Sequence, residues 1–252
     1  MVSCQIFIKM KNKKRVEDFY NFIINEKFFS NKRNLTFHLD SLFSGIDFNN
    51  KNFLDIGGGI GLHSFYAASK GARQVLCLEP EADGSGITVN EKFNYISKAL
   101  NYDNVVLKNS TIQSYLFLDK YDIIFLHNSI NHLDEQSCIN LLTDRSSYEN
   151  YQKIFRKIYN VANKNAILLI CDCSNSNFFA KLRMTNPLSP TIVWNKHQRP
   201  ETWASLLKEV GFSNPKINWS SFNRLGSPGR FLLSNRFMAF FLQSHFCLMM
   251  KK

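Results

Sequence analysis

Short apolar runs alternate with amphipathic stretches along most of the chain. The apolar runs have the length of buried strands and occupy residues 53–56, 75–78, 105–107, 122–126 and 166–170. The stretches between them carry apolar residues at helical spacing and occupy residues 63–69, 87–100 and 134–163. Because strands that alternate with helices at this spacing form right-handed crossovers, we expect a parallel sheet with helices on both faces.

The two ends of the chain depart from this alternation. Helical spacing predicts helices over residues 15–29 and 35–43, before the first strand. Residues 174–200 contain three prolines and have little periodicity, which indicates a long irregular excursion. The remaining predicted elements are a helix over 203–210, a strand over 216–222, a helix over 231–241 and a strand over 244–250.

These elements predict an α/β fold with a Rossmann-like, mostly parallel seven-stranded sheet. An N-terminal helical segment, residues 1–48, and an insertion after the fifth strand would form a cap. Residues 49–252 would form the main domain, divided into 49–173, the excursion 174–200 and the closing helix and strands 201–252. Ligands of such sheets bind beyond the carboxyl ends of the strands, so we expect the chemistry in the loops that follow them.

Positive charge is concentrated in the last third of the chain. The 252 residues have a formal net charge of +11, and residues 181–252 hold 11 Lys and Arg against 2 Asp and Glu, a net +9. This excess predicts either a solvated basic face or a surface for an anionic substrate, RNA or membrane headgroups. The apolar segment 231–250 is interrupted by polar groups such as Asn235 and Arg236, so we do not expect it to span a membrane.

The cysteine pattern indicates a reducing compartment. The six cysteines form no Cys-x-x-Cys pair, and the basic residues near the N-terminus follow the first apolar residues instead of preceding them. We therefore expect free thiols and a cytoplasmic protein. Cys171 and Cys173 are expected to be core and strand-end residues, and no metal site is expected.

A glycine-rich loop follows the first predicted strand of the alternating region. Residues 55–61 read D-I-G-G-G-I-G and lead directly into a helix. Glycines at such a turn let a ligand approach the backbone, and the helix N-terminus adds free N–H groups and a positive dipole end. A nicotinamide fingerprint G-x-G-x-x-G fails in both registers, because its third glycine falls on Leu62 or Ser64. No Walker-type Lys-Ser/Thr follows either.

The loop and the next strand together resemble class I S-adenosylmethionine-dependent methyltransferases, in the small-molecule branch of type 11 and 12 domains. An acid stands two residues before the first glycine, and Glu79 ends the second strand. In that family the acid at this tip binds the ribose hydroxyls, for which a carboxylate is suited because it accepts two hydrogen bonds. The resemblance implies S-adenosyl-L-methionine as cofactor. The cofactor-binding residues that it implies are Asp55, Gly57, Gly58, Gly59, Gly61, Glu79, Pro80, Ser110, Thr111, His127 and Asn128.

The fourth strand and its loop extend this resemblance. Residues 121–135 are similar to the family pattern F-D-x-V-x-x-x-x-x-L-H-H-L, with His132 at the second histidine and Asn131 in place of the first. Where the family usually has an Asp against adenine, this chain has residues 109–111, so a neutral hydroxyl, amide or backbone group would make that contact. The similarity is strong over residues 50–173 and weak over 201–252.

The expected function is methyl transfer to oxygen or nitrogen of a small-molecule or glycan- or lipid-precursor acceptor, with an anionic acceptor suited to the basic C-terminal third. A neutral imidazole is a suitable base near neutral pH, so His132 is the first candidate and His197, in the excursion, is the second. An RNA methyltransferase is the alternative that the charge suggests, although residues 127–130 lack the N/D-P-P-Y/F/W motif of base-amino enzymes. A non-catalytic binding protein on the same fold, with peripheral membrane contact, is a third hypothesis.

Overall fold

A computed structural model of the chain describes residues 2–80, 86–220 and 222–252. The helices are α1 (Val2–Asn25), α2 (Lys32–Leu42), α3 (Leu62–Ser69), α4 (Gly86–Leu100), α5 (Glu135–Ile139), α6 (Arg145–Val161), α7 (Phe178–Lys181), α8 (Pro200–Glu209), α9 (Gly226–Leu233) and α10 (Arg236–Phe241). The strands are β1 (Asn52–Ile56), β2 (Gln74–Leu78), β3 (Val105–Lys108), β4 (Tyr121–His127), β5 (Ala162–Cys173), β6 (Ser213–Trp219) and β7 (His245–Lys251).

The strands of the described residues form one seven-stranded sheet in the order β3-β2-β1-β4-β5-β7-β6. The pairs β1–β2, β2–β3 and β4–β5 are parallel, whereas β7 runs antiparallel to both β5 and β6. This confirms the predicted mostly parallel, Rossmann-like sheet. The chain divides into two compact units, Met1–Ser110 and Thr111–Lys252.

The first unit is built around aromatic side chains from α1, from α3 and from the residue that follows α2. The rings of Phe43 and Tyr66 are stacked with centroids 5.6 Å apart, and Phe19 lies 5.9 Å from Tyr66. All three side chains are buried, and burial of aromatic surface is a large stabilising contribution. The N-terminal helices are therefore part of the core that carries β1.

The second unit has its core between α6, α8 and the sheet. Trp203 of α8 is fully buried and lies 5.0 Å from Tyr151 and 5.9 Å from Phe155, both on α6. Trp203 is thus a core residue, as its helical spacing indicates. None of the helices in the described residues combines the length and apolar composition needed to cross a bilayer.

Two predicted helices are each divided in two. Helical spacing over 134–163 belongs to α5 and α6, because α5 ends at Ile139 and Asp144 begins a new helix by accepting a hydrogen bond from the Ser147 N–H at 2.7 Å. The predicted helix over 231–241 is α9 and α10, because Asn235 caps α10 in the same way, accepting from the Met238 N–H. Short capping side chains between apolar stretches are local signals that periodicity overlooks.

The excursion after β5 is irregular apart from α7 and a 3-10 turn at Trp194–Lys196. Two buried asparagines attach it to the segment before β7: the amides of Asn177 and Asn186 both donate to the Leu242 carbonyl oxygen, at 2.9 and 2.6 Å. The insertion is therefore held at a fixed place within its own unit.

Candidate active site

The glycine-rich loop turns the chain sharply from β1 into α3. Gly57, Gly59 and Gly61 have φ angles of +73°, +54° and +82°, in the left-handed region that disfavours side chains. A Cβ added to Gly58 would lie 2.7 Å from Asp55 Oδ2, whereas a Cβ at Gly59 would meet nothing within 4 Å. The loop thus packs closely against Asp55 at Gly58 and is open at Gly59.

Asp55 lies beneath the loop. It is buried, and its Oδ2 accepts a hydrogen bond of 2.8 Å from the Ser64 hydroxyl on α3. Burial raises the pKa of Asp55 to about 7, and the charge of Glu79 adds to the rise while the Ser64 hydrogen bond opposes it. A carboxyl in this position ties β1 to the first turns of α3 and so fixes the shape of the loop.

Glu79 ends β2 beside the same loop. Its Oε2 accepts a hydrogen bond of 2.8 Å from the Gly59 N–H, and the side chain is only partly buried. A carboxylate has acceptor capacity on both oxygens, so this contact leaves room for a ligand hydroxyl. Pro80, the next residue, is exposed.

These features of the first unit fit a nucleoside ligand with a charged tail. The open face at Gly59 admits a ligand against the backbone, and the N-terminus of α3, which begins after Gly61, favours negative charge. Glu79 presents carboxylate oxygens for ribose hydroxyls at the end of the neighbouring strand. The residues present therefore suit S-adenosylmethionine.

The residues after β3 are polar and partly accessible. Ser110, half-buried, donates its N–H to the Lys108 carbonyl oxygen at 2.9 Å. Thr111, the first residue of the second unit, is exposed, and its Oγ1 accepts from the Ser114 N–H at 3.1 Å. Neutral hydroxyls thus stand where the family usually has an acid.

At the end of β4, the backbone turns through a left-handed residue. Asn128 has φ +52° and donates its N–H to the Cys171 carbonyl oxygen of β5 at 2.8 Å. His127, half-buried, is in register with Cys171. The ends of β4 and β5 are thereby held side by side.

A buried cluster of titratable groups occupies the end of β5. Asp172 is 1% exposed, and its Oδ1 lies 3.2 Å from Nδ1 of His197, whose side chain is 13% exposed. The two atoms are within pairing distance, but they are not aligned as a hydrogen bond. Asp172 Oδ1 also accepts from the Cys173 N–H at 2.7 Å, while among the described residues its Oδ2 has no hydrogen-bond partner.

His245, at the start of β7, completes this cluster. Its Nε2 lies 3.3 Å from Cys173 Sγ, and burial lowers its pKa, against the opposing effect of Asp172. His245 is therefore neutral at neutral pH.

His132 has a different environment. Its side chain is 60% exposed, and its Nδ1 lies 3.3 Å from Glu135 Oε2. The other oxygen of Glu135 accepts from Lys196 Nζ at 2.6 Å, which lowers the pKa of Glu135. Glu135 thus contacts both His132, the first predicted base, and Lys196, which directly precedes His197, the second predicted base.

The backbone around His197 is anchored to α5. The buried Gln198 amide donates to the Cys138 carbonyl oxygen at 2.7 Å, and the Cys138 thiol lies 3.3 Å from the Lys196 carbonyl oxygen. These contacts hold the residues on either side of His197 in place within their unit.

Sequence reasoning missed Asp172, His245 and Glu135. Asp172 lies at the carboxyl end of a parallel strand, where ligands of such sheets bind, and this position could have marked it as a candidate site residue. The two flanking cysteines are the core and strand-end residues that the sequence predicts, since both are buried at the end of β5. His245 carries no local motif, because its neighbours come from distant parts of the chain. Glu135 lies three residues after His132, but its second partner, Lys196, is also distant in sequence.

The family and its fold are established by comparison. The profile of a methyltransferase domain matches residues 47–211, and the chain belongs to this family. Its fold is similar to an S-adenosylmethionine-dependent methyltransferase from Listeria monocytogenes, at 14% identity over 85% of this chain and 96% of that chain, with a TM-score of 0.57. A second such enzyme, from Mesorhizobium loti, has 10% identity, the same coverage and the same TM-score.

An S-adenosylmethionine-dependent methyltransferase from Aquifex aeolicus also has this fold, at 14% identity over 81% of both chains, with a TM-score of 0.52. No curated protein sequence matches the chain. The match to the methyltransferase domain confirms the predicted class I enzyme, with S-adenosylmethionine as its cofactor.

Proposed function

We propose that the protein methylates a hydroxyl or amine of a small-molecule or glycan- or lipid-precursor acceptor, with His197 as general base. The observation that carries this proposal is the buried Asp172–His197 pair. S-Adenosylmethionine supplies an electrophilic methyl group and its own leaving group, so the chain needs only to orient the acceptor, exclude water and remove a proton.

Asp172 would set the tautomer of His197. The 3.2 Å between His197 Nδ1 and Asp172 Oδ1 would become a hydrogen bond after a small rotation of the ring, which would keep the proton on Nδ1 and present the lone pair of Nε2 to an acceptor hydroxyl. When Nε2 takes the proton, the imidazolium lies beside a carboxylate that is shielded from water, which stabilises it. Asp172 Oδ2, which has no hydrogen-bond partner among the described residues, would accept a hydrogen bond from the molecule to be methylated or from a water.

His197 is preferred to His132 because of its surroundings. An exposed imidazole, such as that of His132, gains little from a neighbouring carboxylate, since solvent screens the interaction. His132 and Glu135 are better suited to hold Lys196 in place. The sequence places His132 first because a neutral imidazole is a suitable base near neutral pH, and the lower solvent exposure of His197 is our reason for the reverse order.

On the cofactor side, we assign the ribose hydroxyls to Glu79 and the support of the loop to Asp55. The backbone of Gly57, Gly58, Gly59 and Gly61 would border the cofactor. The roles of Pro80, Ser110, Thr111, His127 and Asn128 stay predictions. An anionic acceptor is favoured by the composition of residues 174–200, which hold four Lys and Arg and no Asp or Glu.

A labelled-methyl experiment tests this function. The purified protein is incubated with methyl-labelled S-adenosylmethionine and cell extract divided into small-molecule, lipid, RNA and protein fractions. We expect label in the small-molecule or lipid fraction, and its loss with His197→Gln. Label confined to RNA or protein would contradict the proposed acceptor class, and cofactor binding by calorimetry without any transfer would indicate a binding protein.

A further inference from the structure

The short helices before β7 expose several large apolar side chains. Phe231 at the end of α9 is 88% exposed, and Phe237 in α10 is 71% exposed. Leu232 and Phe241 are also exposed. Such residues within a few positions of one another exceed the scattered apolar exposure of an ordinary surface.

Ring contacts join part of this region into one surface. The rings of Phe237 and Phe241 are 5.2 Å apart, Phe241 is 5.5 Å from Phe178 of α7, and Phe178 is 6.3 Å from Phe240. We call Phe178, Phe237, Phe240 and Phe241 the aromatic surface. It lies within the second unit, and it joins the excursion to α10.

Basic residues are interleaved with this surface. Lys181 Nζ lies 5.2 Å from the centroid of the Phe240 ring. Residues 181–184 read Lys-Leu-Arg-Met, and all four are exposed, so that cationic and apolar side chains alternate. Residues 174–200 and 222–244 together hold seven Lys and Arg and no Asp or Glu. Two of these bases have acidic partners from elsewhere, since Lys196 pairs with Glu135 and Arg236 with Glu201.

We propose that the aromatic surface, with Lys181 and Arg183, docks on the headgroup region of an anionic lipid bilayer. Aromatic rings suit the boundary between headgroups and acyl chains, and Lys and Arg are attracted to anionic lipids. RNA would also attract the basic residues and could stack on the phenylalanine rings, but it would leave the exposed aliphatic side chains of Leu182, Met184 and Leu232 without apolar partners, whereas a bilayer buries them. The proposal goes beyond methyl transfer and does not depend on it.

Vesicle flotation with the full chain tests this docking. We expect binding to vesicles of phosphatidylcholine with phosphatidylglycerol, no binding to phosphatidylcholine alone, and weakening by salt. Lys181→Glu with Arg183→Glu should weaken binding by at least about tenfold. Phe237→Ser with Phe241→Ser should weaken it by about tenfold, because two apolar anchors are lost.

A matched control uses Leu116 and Leu118, which are exposed in the same unit but lie outside the aromatic surface. Leu116→Ser with Leu118→Ser should leave vesicle binding unchanged, and thermal unfolding should show that each variant is folded. Equal binding by the phenylalanine variant and the unchanged protein would overturn the proposal. So would a concentration-dependent dimer that the phenylalanine variant abolishes without any vesicle binding, or salt-sensitive RNA binding in place of vesicle binding.

Discussion

The carboxylate of Asp172 and the imidazole of His197 lie 3.2 Å apart, Oδ1 to Nδ1, at the carboxyl end of β5. Both groups are largely shielded from water, so the charge of one is felt strongly by the other. A buried carboxylate oxygen without a hydrogen-bond partner lowers the stability of the fold, so its presence in Asp172 points to a functional role. We therefore assign proton transfer to the Asp172–His197 pair of the second unit.

Removing the charge of Asp172 should slow methyl transfer without changing the affinity for the cofactor. We expect Asp172→Asn to lower kcat for labelled methyl transfer by about 10²-fold or more, because a positioned base contributes 10²–10⁴-fold. Asp119→Asn, an exposed Asp of the same unit, is the control. The double variant with His197→Gln should be no slower than His197→Gln alone, and additive losses would show that the two residues do not act together.

Glu79 should control the affinity for the cofactor. Glu79→Ala removes the carboxylate that meets the Gly59 N–H, and we expect S-adenosylhomocysteine to bind about 10- to 100-fold more weakly. Glu79→Gln retains one acceptor oxygen and should have an intermediate effect. Calorimetry measures each Kd, with the exposed Glu91→Ala on α4 as control. Unchanged affinity in Glu79→Ala would remove Glu79 from the cofactor site.

The sheet and the glycine loop could be predicted because their signals are local. A strand of apolar residues, glycines at fixed spacing and an acid at the next strand tip all lie within residues 53–79. The excursion was also evident from its prolines and lack of period. The breaks at Asp144 and Asn235 were missed because one capping side chain changes the path without changing the apolar pattern.

The candidate base environment could not be predicted in the same way. The proposed role of Asp172 depends on His197, which is 25 residues later in the chain and lies beside it only in the folded protein. It also depends on the burial of Asp172, which no local sequence pattern indicates. The preference for His132 rested on the suitability of a neutral imidazole as a base, which both histidines share, whereas the choice between them depends on solvent exposure. Three-dimensional neighbours, rather than spacing, decide such a site.

Asp55 should make the stability of the protein depend on pH. Its pKa rises from the ordinary 3.8 to about 7 on folding, so between these values the folded chain binds a proton that the unfolded chain has lost. This group therefore stabilises the fold most below pH 4, and its contribution falls as pH rises to about 7. The slope is about 1.4 kcal/mol per pH unit for one proton.

Replacing Asp55 by Asn tests this assignment, because the amide keeps an oxygen for the Ser64 hydroxyl and does not ionise. Urea unfolding at a series of pH values should give Asp55→Asn a free energy of unfolding that falls less steeply between pH 4 and 7. Asp103→Asn, exposed in the same unit, should reproduce the slope of the unchanged protein. Parallel curves for Asp55→Asn and the unchanged protein would mean that Asp55 is ionised in the fold.

Gln198 should act as a positioning residue for His197. Its side-chain amide is buried and donates to the Cys138 carbonyl oxygen at 2.7 Å. Gln198→Met keeps the length of the side chain but removes this hydrogen bond, which should lower the free energy of unfolding by about 0.5–1.5 kcal/mol, since the carbonyl oxygen still accepts from the Leu141 N–H at 3.4 Å. Because the backbone of His197 is then less firmly held, kcat should fall while the Kd for S-adenosylhomocysteine stays the same.

Hydrogen exchange distinguishes this local loosening from general destabilisation. Amides of residues 192–199 should exchange faster in Gln198→Met, while those of β1 and β2 keep their protection, since the lost hydrogen bond lies within the second unit. Gln136→Met, exposed on α5, is the matched control and should change neither exchange nor kcat. A uniform rise in exchange, with kcat unaffected, would assign Gln198 to stability alone and leave the alignment of His197 to Asp172.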